Sequence, residues 1–184
     1  MRVLLLALAL VGSAALPASW YEAAREALAA PEPSPRSAPT GSVLVPVTQV
    51  LDHFDRRDSR TWTQRAFVND TYFDGTGPVF LCVGGEGPAM DATVLSDSVH
   101  CNDMVEYGRT VGALLVALEH RFYGESFPIE KHLLTRRDYK YLSSAQAVED
   151  LALFHGFVSD TYSLDAAKNK WVSWGGSYPG MLAR

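Results

Sequence analysis

Val172-Ser173-Trp174-Gly175-Gly176-Ser177-Tyr178-Pro179-Gly180 is an apolar, strand-like stretch that runs into two glycines, a serine and the start of a helix-like segment. A serine held on such a sharp strand-to-helix turn has its hydroxyl exposed at the top of a sheet. Gly175, two places before Ser177, fits that turn, because a side chain there would strike the tightly bent backbone. Two places after the serine stands Pro179, where the pattern expects glycine, with Gly180 one place later. Proline is tolerated in a first helical turn, where its missing N–H leaves no bond unmade. It also biases Tyr178 away from helical geometry. The same letters equally describe a glycine-rich turn with an ordinary serine.

A serine hydroxyl is a weak nucleophile and needs a histidine base oriented by an acid. On a strand–turn–helix elbow of an α/β sheet, both partners follow the serine in chain order. Here the chain ends at Arg184, so the acid and the histidine are expected beyond that residue. Acyl transfer also needs two backbone N–H groups aimed at the developing oxyanion. One is that of Tyr178, directly after the serine. The other comes from the loop after the third strand, where Gly84-Gly85-Glu86-Gly87 stands. Either Gly85 or Glu86 supplies it, unless the loop is a plain turn. The Glu86 side chain reads as a solvated loop carboxylate, or as a partner for a substrate's free amino group.

Outward from the elbow, the pattern alternates. Residues 43–51 and 61–68 read as strands separated by a charged turn at 55–60, and 78–83 as a short apolar strand. A helix is expected over 99–107, a doubly buried strand over 112–118 and a longer helix over 142–158. In that helix Ser143 and Gln146 read as a capping box, with Ala145, Val148, Ala152, His155 and Val158 on the apolar face. Residues 171–174 form the last strand. Two antiparallel strands followed by β-loop-α-β-α-β give an α/β protein with a mixed, mostly parallel sheet.

The N-terminal residues 1–15 read as a signal peptide. Arg2 supplies the positive start, Val3 to Val11 the apolar run, and Ser13-Ala14-Ala15 the small residues for cleavage. That apolar run is too short to span a bilayer, so no membrane anchor is expected. Residues 16–42 read as a Pro/Ala-rich propeptide-like or linker segment, broken at Pro31, Pro33, Pro35 and Pro39. Residues 43–184 form the folded part. Composition is that of a globular protein, and a net charge of −5 gives no basic footprint for nucleic acid. Asn69-Asp70-Thr71 is a glycosylation sequon. Cys82 and Cys101 read either as one disulfide or as buried thiols, and their spacing fits no metal site. No cofactor is expected, and oligomeric state is left open.

Glu119-His120-Arg121-Phe122-Tyr123-Gly124-Glu125-Ser126 ends the fourth strand. Neighbouring strand residues point to opposite faces, so Glu119 and His120 are not expected to converge on one substrate atom. A structural role is expected instead, with Arg121 in an ion pair and Phe122 and Tyr123 packed under the sheet's carboxyl edge. His53, His100, His132 and His155 have no catalytic pattern around them and read as surface or core residues.

Six motifs occur in order: Gln49-Val50-Leu51-Asp52-His53-Phe54, Gly77-Pro78-Val79-Phe80, Gly84-Gly85-Glu86-Gly87, the run 119–126, Tyr141-Leu142-Ser143-Ser144-Ala145-Gln146-Ala147 and Gly175-Gly176-Ser177-Tyr178. Over residues 46–184 the chain thereby resembles the serine carboxypeptidase family of prolyl carboxypeptidase, dipeptidyl peptidase II and thymus-specific serine protease. The glycine loop and the Asp-His-Phe-Asp start look most like the thymus-specific branch. The resemblance implies the N-terminal part of an α/β-hydrolase fold, with a later cap and the C-terminal half absent from these residues. It implies a lysosomal or secreted serine exopeptidase that cleaves peptide substrates beside proline, as a carboxypeptidase or a dipeptidyl peptidase. Ser177 matches the family nucleophile, and Pro179 departs from the small residue usual at its position. The chain by itself is expected to be inactive and, with a strand edge bare, poorly soluble. Two other readings are a non-catalytic secreted binding protein and an esterase or lipase of the same fold.

Overall fold

Strand-forming sequence in this chain comes in two kinds, and each takes a different place in the sheet. The half-alternating segments pair first, in a hairpin of β1 (Val43–Val50) and β2 (Thr61–Asn69), antiparallel with Val43 opposite Val68 and Val50 opposite Thr61. The continuous apolar runs form β3 (Val79–Val83) and β4 (Leu114–Leu118), buried at every position. Such runs fit a sheet covered on both faces. A computed structural model describes residues 41–96 and 101–183. The signal peptide, most of the segment 16–42, and His100 lie outside the described residues.

The five strands run in the order β1-β2-β4-β3-β5, with β5 at Trp171–Trp174. β2 joins β4 antiparallel, while β3 pairs parallel with β4 on one side and with β5 on the other. The sheet is therefore mixed and parallel in its second half, the N-terminal part of an α/β-hydrolase fold. Period-2 alternation sends Val79, Leu81 and Val83 to one face, against Ala147, Phe154 and Val158 of helix α2 (Ser144–Thr161). Phe80 and Cys82 face the other way, against Met104 and Val105 of helix α1 (Asn102–Val111). Each Val or Leu so enclosed contributes about 1.5–3 kcal/mol. Cys82, in β3, is joined by a disulfide to Cys101, which caps the N-terminus of α1. In the chain-entropy model a cross-link closing a loop of about this size contributes about 3 kcal/mol. A last helix, α3 (Tyr178–Leu182), follows β5.

Helix α2 departs from the sequence reading in two ways. Its buried positions are Gln146, Ala147, Asp150, Phe154 and Val158, whereas Val148 is 44% exposed and Ala145, Ala152 and His155 also face solvent. The expected capping box is only half made. Ser143 Oγ accepts from the Gln146 N–H at 3.3 Å, but the Gln146 side chain turns away. It donates to Asp52 Oδ1 at 2.7 Å and accepts from the His53 N–H at 3.0 Å. The cause of both differences is a buried polar centre that draws two polar residues inward.

That centre is Arg121, fully buried after the end of β4. Its Nε donates to Asp150 Oδ2 and its Nη2 to Asp150 Oδ1, both at 2.7 Å. The remaining N–H groups reach the carbonyls of Leu51 and Tyr141 at 3.1 Å and of Val50 at 3.2 Å. All five guanidinium donors are thereby satisfied. His53 Nε2 lies 2.8 Å from Asp150 Oδ1, so this histidine belongs to the same cluster. Phe122 packs beside it with Leu51, Trp62 and Tyr141.

Candidate active site

The chain passes from β3 to β4 on one side of β3 and returns to β5 on the other. At such a switch point a crevice opens outside the carboxyl ends of the strands, and ligands of open α/β sheets bind there. A cavity of about 400 Å³ occupies this place, and its walls include Gly85, Glu86, Glu119, His120, Ser177 and Pro179. The disulfide lines it as well.

The turn that carries Ser177 is tight in the way its glycines require. A Cβ on Gly175 would stand 2.7 Å from the Pro179 carbonyl carbon, and one on Gly180 would stand 2.8 Å from the Gly175 oxygen. Ser177 has φ 58° and ψ −127°, a conformation that L-residues rarely adopt. Holding a non-glycine residue there costs about 1–3 kcal/mol. Serine at a helix start usually turns its oxygen back onto the backbone. Ser177 makes no such bond, is exposed, and lines the cavity.

Pro179 explains itself from across the crevice. A Cβ on Gly85 would overlap the Pro179 ring, so the glycine leaves the room that the proline fills. The glycine loop and the serine turn are thus packed face to face. Gly84 is constrained too, since a Cβ there would overlap the Leu118 carbonyl. Both Gly85 and Glu86 line the cavity, and Tyr178 opens helix α3, where no intrahelical carbonyl reaches its N–H. Glu86 makes no hydrogen bond or ion pair among the described residues.

Glu119 and His120 share no hydrogen-bond partner, as expected, but alternation is not the reason. Strand β4 ends at Leu118, so alternation no longer governs them, and both line the cavity. The Glu119 carboxylate is consumed by the protein. It accepts from the Met90 N–H at 2.7 Å, the Glu125 N–H at 3.1 Å and Ser126 Oγ at 2.7 Å, with Arg65 at 3.6 Å. His120 Nδ1 lies 2.7 Å from the Arg121 carbonyl, which can only accept. Nδ1 therefore carries the proton and Nε2 accepts, here from the Tyr178 hydroxyl at 3.1 Å. Burial pushes the His120 pKa below the ordinary histidine value, which favours the neutral ring. Both ring nitrogens are engaged away from Ser177. His120 is the one histidine among the described residues in the cavity wall, so no base for Ser177 is found there.

Asn69 is also corrected. It ends β2 fully buried, its Nδ2 donating to the Leu95 carbonyl at 3.4 Å and its Oδ1 accepting from the Thr71 N–H. A glycan on that nitrogen is incompatible with this packing. The Gly85–Pro179 contact, the Tyr178–His120 bond and the Ser144 hydroxyl 3.1 Å from Tyr178 were invisible in the sequence. Each joins residues far apart in the chain without any local pattern.

With this geometry in hand, comparison with known proteins is informative. Residues 49–184 match the family model for serine carboxypeptidase S28. The chain is 39% identical over 137 residues to a putative serine protease of Caenorhabditis elegans, covering 74% of this chain and 24% of that protein. It is 37% identical over 139 residues to the thymus-specific serine protease of Mus musculus, covering 73% and 25%. Against the lysosomal Pro-X carboxypeptidase of Mus musculus it is 33% identical over 160 residues, covering 84% and 30%. It spans about a quarter of the length of the first of these relatives. The chain belongs to the serine carboxypeptidase S28 family of serine peptidases.

Proposed function

We propose that Ser177 is the nucleophile of a serine exopeptidase and that these residues carry the attacking half of its site. The Ser177 Oγ–H proton passes to a histidine base as Oγ bonds to the substrate carbonyl carbon. The oxyanion is received by the Tyr178 N–H and by that of Gly85 or Glu86. Collapse expels the amine, which takes the proton from the base, and water then hydrolyses the ester. The acid and the base come from residues beyond Arg184 in the complete protein, and the 184 residues alone are inactive. One observation supports this reading above the others: Ser177 holds a costly backbone conformation, beside a cavity, with its hydroxyl bonded to nothing among the described residues. An ordinary turn serine has no reason to.

The likeness to the lysosomal Pro-X carboxypeptidase supports peptides cut beside proline as substrates, and a lysosomal or secreted location. No helix of the described residues is long and apolar enough to cross a membrane. The test is a fluorophosphonate probe on the protein expressed from the complete reading frame. Labelling is expected, with loss in Ser177→Ala. Hydrolysis of peptides ending in Pro-X or beginning with X-Pro, compared with a simple acyl ester, separates a peptidase from an esterase. Undiminished labelling in Ser177→Ala would refute the assignment.

A further inference from the structure

We infer that His120 is a positioning residue for the oxyanion site, acting through the side chain of Tyr178. This rests on the reading of Ser177 as nucleophile. Strained backbone persists only where its surroundings over-determine it. The turn at Ser177, with φ 58°, is held from outside in two places. On one side Pro179 packs on Gly85. On the other, the Tyr178 ring lies 5.4 Å from the His120 ring, and the Tyr178 hydroxyl bonds to His120 Nε2. Tyr178 is the residue whose N–H faces the developing charge, so what fixes its side chain also fixes that donor.

The bond has a set direction. With Nδ1–H given to the Arg121 carbonyl, Nε2 can only accept in the neutral ring, so the Tyr178 hydroxyl donates to it. The tyrosine oxygen then accepts from Ser144 Oγ at the start of α2. The anchor behind this chain is tied on every side: Arg121 has every donor engaged and is fully buried. The three residues after β4 thus have three targets. Glu119 pins the loops at Met90 and at Glu125–Ser126, Arg121 pins β1 to α2, and His120 between them pins the serine turn.

Kinetics of fluorophosphonate labelling on the complete protein test this, because the bound probe places an oxygen where the oxyanion would form. His120→Phe keeps ring packing and loses the acceptor. It is expected to lower the maximal labelling rate about tenfold, with apparent probe affinity changed less than about twofold. Tyr178→Phe removes the same bond from its other end, together with the bond to Ser144, and provides a loss of rate to measure should His120→Phe fold poorly. The double variant is expected to label no more slowly than Tyr178→Phe alone, because the bond to His120 is already lost there. His120→Gln, whose amide oxygen accepts the tyrosine proton, is expected to recover most of the rate. A wild-type rate in folded His120→Phe and Tyr178→Phe, or losses that multiply in the double variant, would overturn the inference while leaving Ser177 as nucleophile. A wild-type protein that takes no label removes the nucleophile first and this inference with it.

Discussion

His120 and Arg121 are neighbours in sequence, yet they belong to two regions that treat polar groups in opposite ways. Around Arg121 every donor finds a carboxylate or a carbonyl, and the charge is sealed from water. Around Ser177 polar groups are left over: among the described residues neither the serine hydroxyl nor the Glu86 carboxylate at the cavity wall has a hydrogen-bond partner. A buried unpaired polar group is costly, so the first region closes on itself. The second lies open to solvent, where a missing partner costs little and a ligand can supply it. The contrast separates residues that hold the fold from residues free to do chemistry.

Breaking the closed region should have the largest effect. Arg121→Met leaves the buried Asp150 carboxylate with only His53 beside it, at 2.8 Å. Removing one partner of a buried ion pair costs about 3–5 kcal/mol, read as a fall in the denaturant midpoint of the complete protein. A loss below about 1 kcal/mol would erase the distinction between the regions. In the open region the expected effect is smaller and depends on position. Gly85→Ala drives a methyl into Pro179 and should cost about 1–3 kcal/mol, recovered when Pro179→Ala is added. Gly87→Ala, two residues on, meets nothing within 4 Å and should change stability by less than about 0.5 kcal/mol. Equal costs at Gly85 and Gly87 would show that the two walls are not packed together.

The smallest effect lies where the regions touch. Burial lowers the His120 pKa from the ordinary 6.5. The unfolded chain therefore takes up this proton first as pH falls. Stability from this residue is complete above about pH 6.5 and declines below it, until the folded form protonates as well. His120→Gln should flatten that slope in unfolding measurements between pH 7.5 and pH 5, and an unchanged slope would assign it to other groups.

Local chemistry made much of this legible. The apolar runs of β3 and β4, the glycines of the elbow and the Ser143 cap are short-range signals, and they fall where the sequence places them. What stayed hidden depends on partners distant in the chain. Gln146 and Asp150 break the apolar period of α2 because they answer Asp52, His53 and Arg121. Strand β4 ends at Leu118, where the apolar run places it, but that run does not tell that Glu119 and His120 beyond it line one cavity. Asn69 carries a surface motif, but its pairing with Leu115 in the sheet buries it. The strand order itself, with β3 between β4 and β5, has no local signature.

That strand order also sets a sequence of events during synthesis. Trp171 of β5 pairs with Val79 of β3, 92 residues earlier in the chain. Pairings across such separations form late, after local ones. Every residue of the Arg121 cluster, from Val50 to Asp150, leaves the ribosome before Ser177 does. Until β5 docks, β3 is a bare edge of five buried-type residues, Val79 to Val83, of the kind that pairs with strangers. The nascent chain thus completes its scaffold while its most aggregation-prone strand waits for the segment that brings the serine.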